Sequence, residues 1–476
     1  MMSMLHVAAG AVLPLAGWAW LRGGAGAGWR GASPAGLLVD LAPAALLWML
    51  VLAATARPIL AGAVVFCLCA ALAVADGAKR RVLGEPVVFS DAGLLSGVVR
   101  HPQLYLPFVG VPFVVIAVAA CGVALGLLGV LEPSGGIGDA ERLVLALGAL
   151  CLAWKLVVRP VRPGCLTGDP AVDSARIGPC ATLACHRALA AAERSERRAR
   201  IPPLTLPRAG HDAPHLVLVQ AESFFDVRRL GHAASAQPVM PCWDLLRATA
   251  LAHGRFAAPA FGANTMRAEF AVLSGLGEDA LGFDRFNPYF RFARAPVPSL
   301  ASALSNAGYA TTCLHPFDRR FFGRDRVLPA LGFERFEDEG AFADAPRIGR
   351  YVADAAIASR VVEELRTAHG GRPRFLFAIT MQAHGPWPGP DPFAAWLGHL
   401  RDADAMFGRI ADATPTLDRP LVLAVYGDHL PALPLRPADG LATDYLVWRS
   451  DRPGAGALRD LDGAGLHAAI RAALSG

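Results

Sequence analysis

Charged side chains are scarce in this sequence. Asp, Glu, Lys and Arg supply 18% of its 476 residues, whereas hydrophobic residues supply 54%. This balance excludes a wholly soluble protein, because soluble domains carry about 25% charged residues. Residues 1–160 hold almost all of the long apolar runs, and the remainder has the composition of a soluble domain. The sequence therefore predicts a membrane region followed by a soluble region.

Two further absences narrow the functional classes. No Cys-x-x-Cys pair with zinc-finger spacing occurs among the nine cysteines, which excludes a thiolate zinc site of that kind. The net charge of +5 is small and gives no indication of a nucleic-acid partner. Cys180 and Cys185 are close enough in sequence to form a local disulfide in an oxidising compartment, and the sequence leaves this pairing open.

Five apolar segments are predicted to span the membrane. They cover residues 4–20, 37–54, 59–75, 104–131 and 143–158. Each approaches the roughly 20 residues that a helix needs to cross a bilayer, although the last is short, so four spans are the alternative. No basic segment precedes residues 4–20 and further apolar segments follow. A retained helix is therefore predicted there instead of a cleaved signal peptide.

The orientation of the spans has two conflicting indications. The most basic short connection runs from residue 79 to residue 100, and the positive-inside rule places it in the cytoplasm. With five spans, the same rule places the C-terminal domain in the cytoplasm as well. The chemistry described below favours a domain on the other side of the membrane. We adopt that orientation, which predicts a multi-pass plasma membrane (inner membrane) protein with an extracytoplasmic catalytic domain.

Residues 161–212 are predicted to connect the two regions. Prolines at 160, 163, 170 and 179 exclude a long regular element from the first part of this segment. An Ala- and Arg-rich stretch at 181–201 is predicted to form a helix. Its composition fits a juxtamembrane helix and a solvated helical linker equally well, so both interpretations stay open.

Residues 213–476 alternate between strand and helix patterns, which is typical of an α/β domain with a mostly parallel central sheet flanked by helices. Predicted strands cover 216–220, 309–314, 375–380 and 421–426, and predicted helices cover 300–308, 357–369 and 393–410. Polar side chains follow the strands: Glu222, His315, His384, Asp428 and His429. Because ligands of open parallel sheets bind beyond the carboxyl ends of the strands, these five side chains should share one edge.

Thr265 precedes a further predicted helix at 266–273, after the small residues at 262–264. Threonine at a helix start is most often an N-cap. The same position also suits a nucleophile or a phosphoryl carrier, because the N–H groups at a helix N-terminus favour negative charge. This stretch alone leaves both roles open.

Glu222, Thr265, Asp428 and His429 together form a mixed oxygen and nitrogen ligand set. Such a set suits Mn²⁺, Zn²⁺ or Mg²⁺ and does not suit a metal that prefers thiolates. A divalent cation would ease the loss of the Thr265 proton and make its hydroxyl a nucleophile. The hypothesis depends on several strand ends carrying suitable groups at once, because a single Asp-His pair after a strand is more often part of a turn.

Three more side chains fit a phosphoryl site. His315 and His384 could each carry a proton or bind a phosphoryl group. Arg324 could clamp a phosphoryl oxygen, since its guanidinium is planar and always charged.

Five groups of residues occur in a fixed order along the C-terminal region. They are QAESFFD at 220–226, GANTMRAEFAVLSG at 262–275, HP at 315–316 with FGRD at 322–325 and LGF at 331–333, TMQAHGP at 380–386, and YGDHLP at 426–431. The ordered set resembles the lipoteichoic acid synthase and phosphoglycerol transferase family, within the sulfatase and alkaline phosphatase superfamily. The resemblance covers residues 211–450, and in the membrane region it adds only LGEPVVFSD at 83–91.

The resemblance implies a sulfatase-like fold and a membrane-bound enzyme. The implied reaction moves glycerophosphate from phosphatidylglycerol, through a covalent intermediate on a threonine, to a periplasmic or cell-surface glycan or polyol. Thr265 would be the nucleophile and a metal ligand. Glu222, Asp428 and His429 would complete the site for a divalent cation, which would be Mn²⁺, with Mg²⁺ and Zn²⁺ as alternatives.

The resemblance also implies a pocket for the phosphoglycerol head group. His315, Arg324 and His384 would line it, and His384 would be a candidate proton carrier. Phe322 stands where some family members have tryptophan, which implies an altered stacking or packing contact. Thr265 lacks the Cys/Ser-x-Pro-x-Arg context from which sulfatases form formylglycine, and this argues against sulfate ester hydrolysis.

Other functions remain compatible with these residues. The same site would serve a metal-dependent phosphodiesterase or phosphatase that passes the group to water, and it would equally serve a phosphoethanolamine transferase. A membrane-anchored binding or transport component with a decayed site is an alternative of another class. An enzyme is favoured over that component, because every predicted metal-site position holds a competent residue.

Overall fold

The computed structural model describes residues 4–29, 34–134, 138–158, 166–231, 240–258, 264–367, 371–433, 437 and 440–475. The chain divides into two compact units, Met1–Glu196 and Arg197–Gly476. The first unit is helical, and the second contains the sheet that positions the predicted site. This is the predicted class of fold, a helical membrane region followed by an α/β domain.

Long helices dominate the N-terminal part of the chain. Its helices are α1 (Met4–Gly24), α2 (Pro34–Thr55), α3 (Pro58–Leu83), α4 (Leu95–Arg100), α5 (Pro102–Tyr105), α6 (Val111–Leu131), α7 (Asp139–Val158), α8 (Pro170–Ile177) and α9 (Pro179–Ala199). Among the described residues, α2, α3 and α6 are long and apolar enough to cross a membrane. The predicted spans at 4–20 and 143–158 coincide with α1 and α7, and their membrane crossing stays a prediction.

A buried ion pair holds several of these helices together. Arg22 Nη1 on α1 lies 3.0 Å from Asp40 Oδ2 on α2, and neither side chain is exposed. Asp40 also accepts hydrogen bonds from Trp18 Nε1 and from the main-chain N–H of Ala181 on α9. A buried charge pair adds little net stability but fixes the register of the helices that carry it.

The LGEPVVFSD segment folds back on the end of α3. Lys79 Nζ lies 2.9 Å from Glu85 Oε1 and 2.7 Å from Asp91 Oδ2, which are the two acidic residues of that segment. The helix stops at Gly84, whose φ of 71° is left-handed and therefore suits glycine.

Helix α9 corresponds to the helix predicted at 181–201, although it ends at Ala199. Cys180 and Cys185 on this helix are separate thiols.

An eight-stranded sheet organises the C-terminal unit. The strands are β1 (His215–Ala221), β2 (Ala252–Ala257), β3 (Ala310–Leu314), β4 (Arg335–Glu337), β5 (Arg347–Ile348), β6 (Tyr351–Val352), β7 (Arg374–Ile379), β8 (Leu421–Gly427), β9 (Thr443–Arg449) and β10 (Leu461–Asp462). The large sheet has the order β10-β2-β9-β8-β1-β7-β3-β4, and β5 pairs with β6 separately. Within the large sheet, only β9 runs antiparallel to both of its described neighbours, so that sheet is mostly parallel, as predicted, whereas β5 and β6 pair antiparallel.

Helices cover this sheet. They are α10 (Pro241–Ala248), α11 (Met266–Ser274), α12 (Glu278–Leu281), α13 (Pro288–Phe292), α14 (Leu300–Ala307), α15 (Arg324–Ala330), α16 (Asp354–Arg366), α17 (Pro392–Asp412) and α18 (Gly463–Ser475). Val217 and Val219 alternate along β1 and pack with apolar side chains of α10, α16 and α17, including Trp243 and Phe407, in one buried core. The period of two places these valines on the same sheet face.

The register of the parallel strands aligns their carboxyl ends. Ala221 at the end of β1 pairs with Gly427 at the end of β8. On the other side of β1, Gln220 pairs with Ile379 of β7, and Ala378 of β7 pairs with Leu314 of β3. The residues that follow these four strands therefore meet at one edge of the sheet, which confirms the predicted arrangement of the strand ends.

Candidate active site

Glu222, Asp428 and His429 form a compact buried group at that edge. Glu222 follows β1, and Asp428 and His429 follow the neighbouring β8. His429 Nε2 lies 3.4 Å from Glu222 Oε1 and 3.6 Å from Asp428 Oδ2. The three ligand atoms lie within 4.8 Å of one another, so one cation could contact all of them.

Asp428 combines one hydrogen-bonded carboxylate oxygen with one buried oxygen that has no hydrogen-bond partner. Its Oδ1 accepts hydrogen bonds from the main-chain N–H groups of Ser223 and His429, at 2.9 and 2.8 Å. Its Oδ2 is buried and has no hydrogen-bond partner. Burial and the neighbouring Glu222 carboxylate raise the pKa of Asp428 to about 8. A divalent cation would satisfy the free oxygen and offset both negative charges, so the residues present fit such a cation.

His429 is oriented for the same role. Its Nδ1 lies 2.9 Å from the carbonyl oxygen of Leu430, and a carbonyl oxygen only accepts, so Nδ1 donates. The lone pair of the neutral ring is then on Nε2, which faces the two carboxylates. Metal-binding histidines commonly donate their second nitrogen in this way. Burial acts to lower the pKa of His429, but the carboxylates of Asp428 and Glu222 outweigh it and raise that pKa.

Ser223 supports the group and was missed in the sequence. Its hydroxyl donates a 2.9 Å hydrogen bond to Glu222 Oε1, while its main-chain N–H binds Asp428. It adopts a left-handed backbone with φ of 51°, which is uncommon for a residue other than glycine. The strained turn brings one residue into contact with both carboxylates. In the sequence, Ser223 was part of the QAESFFD group, but no role was predicted for its own side chain.

Thr265 begins α11 but does not cap it with its side chain. It occupies the N-cap position, and its side chain makes no capping hydrogen bond. Its Oγ1 instead accepts a 3.3 Å hydrogen bond from Nη2 of Arg324. The side chain is half-buried. The N-cap explanation therefore does not account for the threonine hydroxyl, whereas its roles as nucleophile and metal ligand stay predictions.

A second buried network holds Arg324. Glu269 accepts hydrogen bonds from Arg324 Nη2 at 2.5 Å and from Arg324 Nε at 3.1 Å. Glu269 also accepts from the hydroxyl of Tyr289 at 2.7 Å and from Nε2 of Gln220 at 3.1 Å. Burial acts to raise the pKa of Glu269, but the Arg324 charge and these hydrogen bonds hold that pKa below its ordinary value. The network places one guanidinium nitrogen beside Thr265.

Glu269 is the second residue that sequence reasoning missed. It lies four residues after Thr265 on α11, which brings the two side chains to the same helix face. A glutamate among the apolar residues of a fully buried helix was the available signal. Arg324 keeps one nitrogen, Nη1, buried without a hydrogen-bond partner.

His315 follows β3 as predicted and is buried. Its Nδ1 donates to the carbonyl oxygen of Ile379 at 3.2 Å, and its Nε2 is buried without a partner. Burial and the nearby Arg324 charge lower the pKa of His315 to about 3. The ring is therefore neutral at physiological pH and offers Nε2 as an acceptor for a hydroxyl group.

His384 is more open. Its Nδ1 donates to the carbonyl oxygen of Gly385 at 2.7 Å and also lies 3.3 Å from the hydroxyl of Tyr351. The ring is half-buried. Burial raises the pKa of Tyr351, the Arg350 charge acts to lower it, and the Glu222 carboxylate acts to raise it. Tyr351 was not predicted, and β6, the two-residue strand that carries it, has no strong sequence signal.

Phe322 packs beside Arg324. The Arg324 guanidinium carbon lies 5.2 Å from the centre of the Phe322 ring. The ring centres of Phe321 and Phe322 are 4.2 Å apart. Phe322 has a φ of 56°, a conformation that is rare for a bulky side chain. Strained residues of this kind concentrate at functional sites. The position predicted to replace a tryptophan contact thus holds an aromatic ring against the arginine of the site.

Comparisons with known proteins agree with this geometry. The family model described as Sulfatase matches residues 214–462, which include every predicted site residue. The capsular polysaccharide biosynthesis protein RkpI of Rhizobium meliloti (strain 1021) is 33% identical over 402 residues, covering 78% of this chain and 73% of that protein. A second protein of that strain, named for cyclic beta-1,2-glucan modification, is 28% identical over 254 residues, covering 49% of this chain and 38% of its own length.

A solved structure extends the comparison to the whole chain. The integral membrane protein lipooligosaccharide phosphoethanolamine transferase A (EptA) from Neisseria meningitidis matches 99% of this chain and 94% of its own, with a TM-score of 0.51 and 15% identity. A likeness at this identity shows the fold. Together with the three membrane-capable helices, it identifies the chain as a membrane protein with a sulfatase-like C-terminal domain.

Proposed function

This chain belongs to the sulfatase family, and from that premise we propose that it is a membrane-bound, metal-dependent phosphoglycerol transferase. It would move the head group of phosphatidylglycerol to a glycan or polyol acceptor. One observation carries the proposal. The Thr265 hydroxyl is bound to a buried arginine instead of capping its helix, and hydrogen bonds through Glu269 connect that arginine to Gln220 near the end of β1, the strand that Glu222 follows.

The cation site comprises Glu222, Asp428 and His429, with Thr265 as the fourth ligand. We propose Mn²⁺ as the cation, with Mg²⁺ and Zn²⁺ as alternatives, because carboxylate, hydroxyl and imidazole ligands accept all three. When bound, the cation would lower the pKa of the threonine hydroxyl and offset phosphoryl charge.

In the first step, Thr265 Oγ1 attacks the phosphorus of the lipid. A bond forms between this oxygen and phosphorus, and the bond from phosphorus to the diacylglycerol oxygen breaks. Diacylglycerol leaves with a proton, and glycerophosphate stays esterified to Thr265. Arg324, held by Glu269, donates to a phosphoryl oxygen and offsets the charge that develops there.

In the second step, a hydroxyl of the acceptor attacks the same phosphorus. The bond to Thr265 breaks, and the threonine recovers its proton. His384 is the proposed proton carrier, because its Nδ1 is fixed by Gly385 and its Nε2 is left to accept. His315 offers a neutral nitrogen that would accept from a hydroxyl of the glycerol group.

The membrane helices suit a lipid donor. They tether the catalytic unit to the bilayer in which phosphatidylglycerol resides. We place the catalytic unit on the extracytoplasmic side, where a periplasmic or cell-surface acceptor would be available. The names of the two Rhizobium meliloti relatives, which refer to capsular polysaccharide and to a glucan, favour a glycan over other acceptors.

Product analysis tests the proposal. The purified full-length protein is incubated with Mn²⁺, phosphatidylglycerol labelled in its head group, and candidate glucans. The expected products are diacylglycerol and a labelled glycan, and a chelator abolishes both. Free glycerophosphate as the only labelled product would replace the transferase with a phosphodiesterase. Transfer from labelled phosphatidylethanolamine alone would replace it with a phosphoethanolamine transferase.

A further inference from the structure

We propose that Asn264 is a further catalytic residue, whose side-chain amide donates a hydrogen bond to a phosphoryl oxygen of the group that Thr265 accepts. This inference rests on the proposed function, because it assigns a partner to the phosphoryl group of that reaction. Asn264 directly precedes Thr265 and is neither a proposed metal ligand nor a proposed proton carrier.

The backbone fixes the position of Asn264. Its φ is 65°, in the left-handed region, which asparagine tolerates better than most residues. Its carbonyl oxygen accepts a 2.9 Å hydrogen bond from the N–H of Arg267, the second residue of α11. Asn264 is therefore held by a hydrogen bond to the first turn of a largely buried helix.

The side-chain amide of Asn264 is buried without a partner. The residue is 6% exposed, and its Nδ2 makes no hydrogen bond. An unsatisfied buried donor costs about 1–3 kcal/mol, so such groups are rare in native proteins without a functional reason. Three other predicted site residues have a buried polar atom without a hydrogen-bond partner: Arg324 (Nη1), His315 (Nε2) and Asp428 (Oδ2). One of these residues, Arg324, also donates a hydrogen bond to the Thr265 hydroxyl through Nη2.

The chemistry of the two free donors, Arg324 Nη1 and Asn264 Nδ2, points to an anionic ligand that is rich in oxygen. Arg324 Nη1 and Asn264 Nδ2 are donors that cannot accept, and a phosphoryl group offers several acceptor oxygens. When Thr265 Oγ1 bonds to phosphorus and the diacylglycerol oxygen leaves, negative charge is shared among those oxygens. The amide would stabilise that charge while keeping its own proton. It adds a donor without adding a formal charge beside Arg324.

Two substitutions at Asn264 remove the side-chain amide donor while tolerating the positive φ of this position. Asn264→Gly accepts a positive φ without strain and removes the amide. Asn264→Asp keeps the size and the tolerance of a positive φ but replaces the donor with an oxygen. Asn306→Asp makes the same chemical change at an exposed position on α14 and serves as the matched control.

Head-group transfer and ligand binding are measured on full-length protein with Mn²⁺. Loss of one such donor lowers kcat by about 10²–10³-fold, so we expect both Asn264 variants to lose about that factor, with unchanged thermal unfolding and an unaffected Asn306→Asp. Calorimetry should show weaker binding of glycerol 3-phosphate by both variants. Wild-type turnover in Asn264→Gly would overturn the inference and leave the proposed function standing.

The two hypotheses can fail separately. If the wild-type protein turns over no phosphodiester, the proposed function fails, and the binding measurement decides the role of Asn264. Weaker binding of glycerol 3-phosphate by Asn264→Gly than by the wild type would then still support the amide as a phosphoryl donor. Equal affinities, or no binding by either protein, would overturn it.

Discussion

Two buried carboxylates of the candidate active site behave in opposite ways. Asp428 lies beside another carboxylate, keeps one oxygen without a partner, and has a pKa raised to about 8. Glu269 is as deeply buried, but it accepts hydrogen bonds from Arg324, Tyr289 and Gln220, and its pKa is lowered. Burial alone therefore does not distinguish a metal ligand from a structural anion. The balance of nearby charge distinguishes the two, because Asp428 faces the Glu222 carboxylate, as a proposed cation ligand would, whereas Glu269 is neutralised by Arg324.

The largest expected effect comes from removing the charge of Asp428. In Asp428→Asn, the cation loses a ligand, and we expect transferase activity to fall by about 10³-fold or more, since metal ions supply several kcal/mol of charge stabilisation. The metal-free variant should unfold at a higher temperature than the metal-free wild type at neutral pH, because a carboxyl whose pKa is raised in the folded state costs stability above its unfolded-state pKa. Activity assays and thermal unfolding in a chelator measure both effects. A lower unfolding temperature would contradict the assignment.

The matching substitution at Glu269 should have the opposite effect on stability. Glu269→Gln leaves the buried Arg324 charge uncompensated, and breaking a buried pair costs about 3–5 kcal/mol. We expect a lower unfolding temperature with and without metal, a loss of activity through displacement of Arg324, and unchanged Mn²⁺ affinity by calorimetry. A loss of Mn²⁺ affinity equal to that of Asp428→Asn would contradict the distinction between Asp428 as a metal ligand and Glu269 as the partner of Arg324.

The contribution of Glu269 should depend on pH. Its pKa is lowered in the folded protein, so its stabilising effect is present above the unfolded-state pKa of about 4.3 and is lost as pH falls through the folded pKa. The difference in unfolding temperature between the wild type and Glu269→Gln should be greatest at neutral pH and should shrink below about pH 4. A difference that stays constant into that acidic range would show that the glutamate charge is not what stabilises the network.

The smallest effect is expected at Ser223. Its hydroxyl orients Glu222, and loss of such a contact typically lowers metal affinity by about 10-fold. We expect Ser223→Ala to bind Mn²⁺ about 10-fold more weakly while keeping its catalytic rate at saturating metal. Calorimetry and a metal titration of activity measure this. A rate defect that excess Mn²⁺ does not restore would assign the hydroxyl a role beyond the orientation of Glu222.

The sequence predicted most of what regular patterns can encode. The strands at 216–220 and 421–426 are apolar runs that end in polar residues, and the parallel register then brings Glu222 and Asp428 together. β2 was not predicted, because Ala252–Ala257 contains glycine, histidine and arginine and lacks a strand pattern. Its strand conformation depends on antiparallel pairing with β9. Short elements such as β10 depend on tertiary pairing, which local sequence does not encode.

The supporting residues of the site were harder to predict than the ligands. Glu269 reads locally as an ordinary glutamate in a helix, and its partner Arg324 is 55 residues away in sequence. Tyr351 meets His384 across 33 residues, from a strand only two residues long. Their contacts arise from the folded topology. The charge balance that separates Asp428 from Glu269 is likewise visible only once the chain is folded.

The central claim is that Thr265 carries the transferred group, and peptide mass spectrometry tests it most directly. The full-length protein is mixed with Mn²⁺ and phosphatidylglycerol without acceptor, quenched in acid and digested. We predict a glycerophosphate ester on Thr265 that disappears when a competent acceptor is added and is absent from Thr265→Ala, which still folds. Undiminished head-group transfer by Thr265→Ala, or an ester on another residue, would contradict the account.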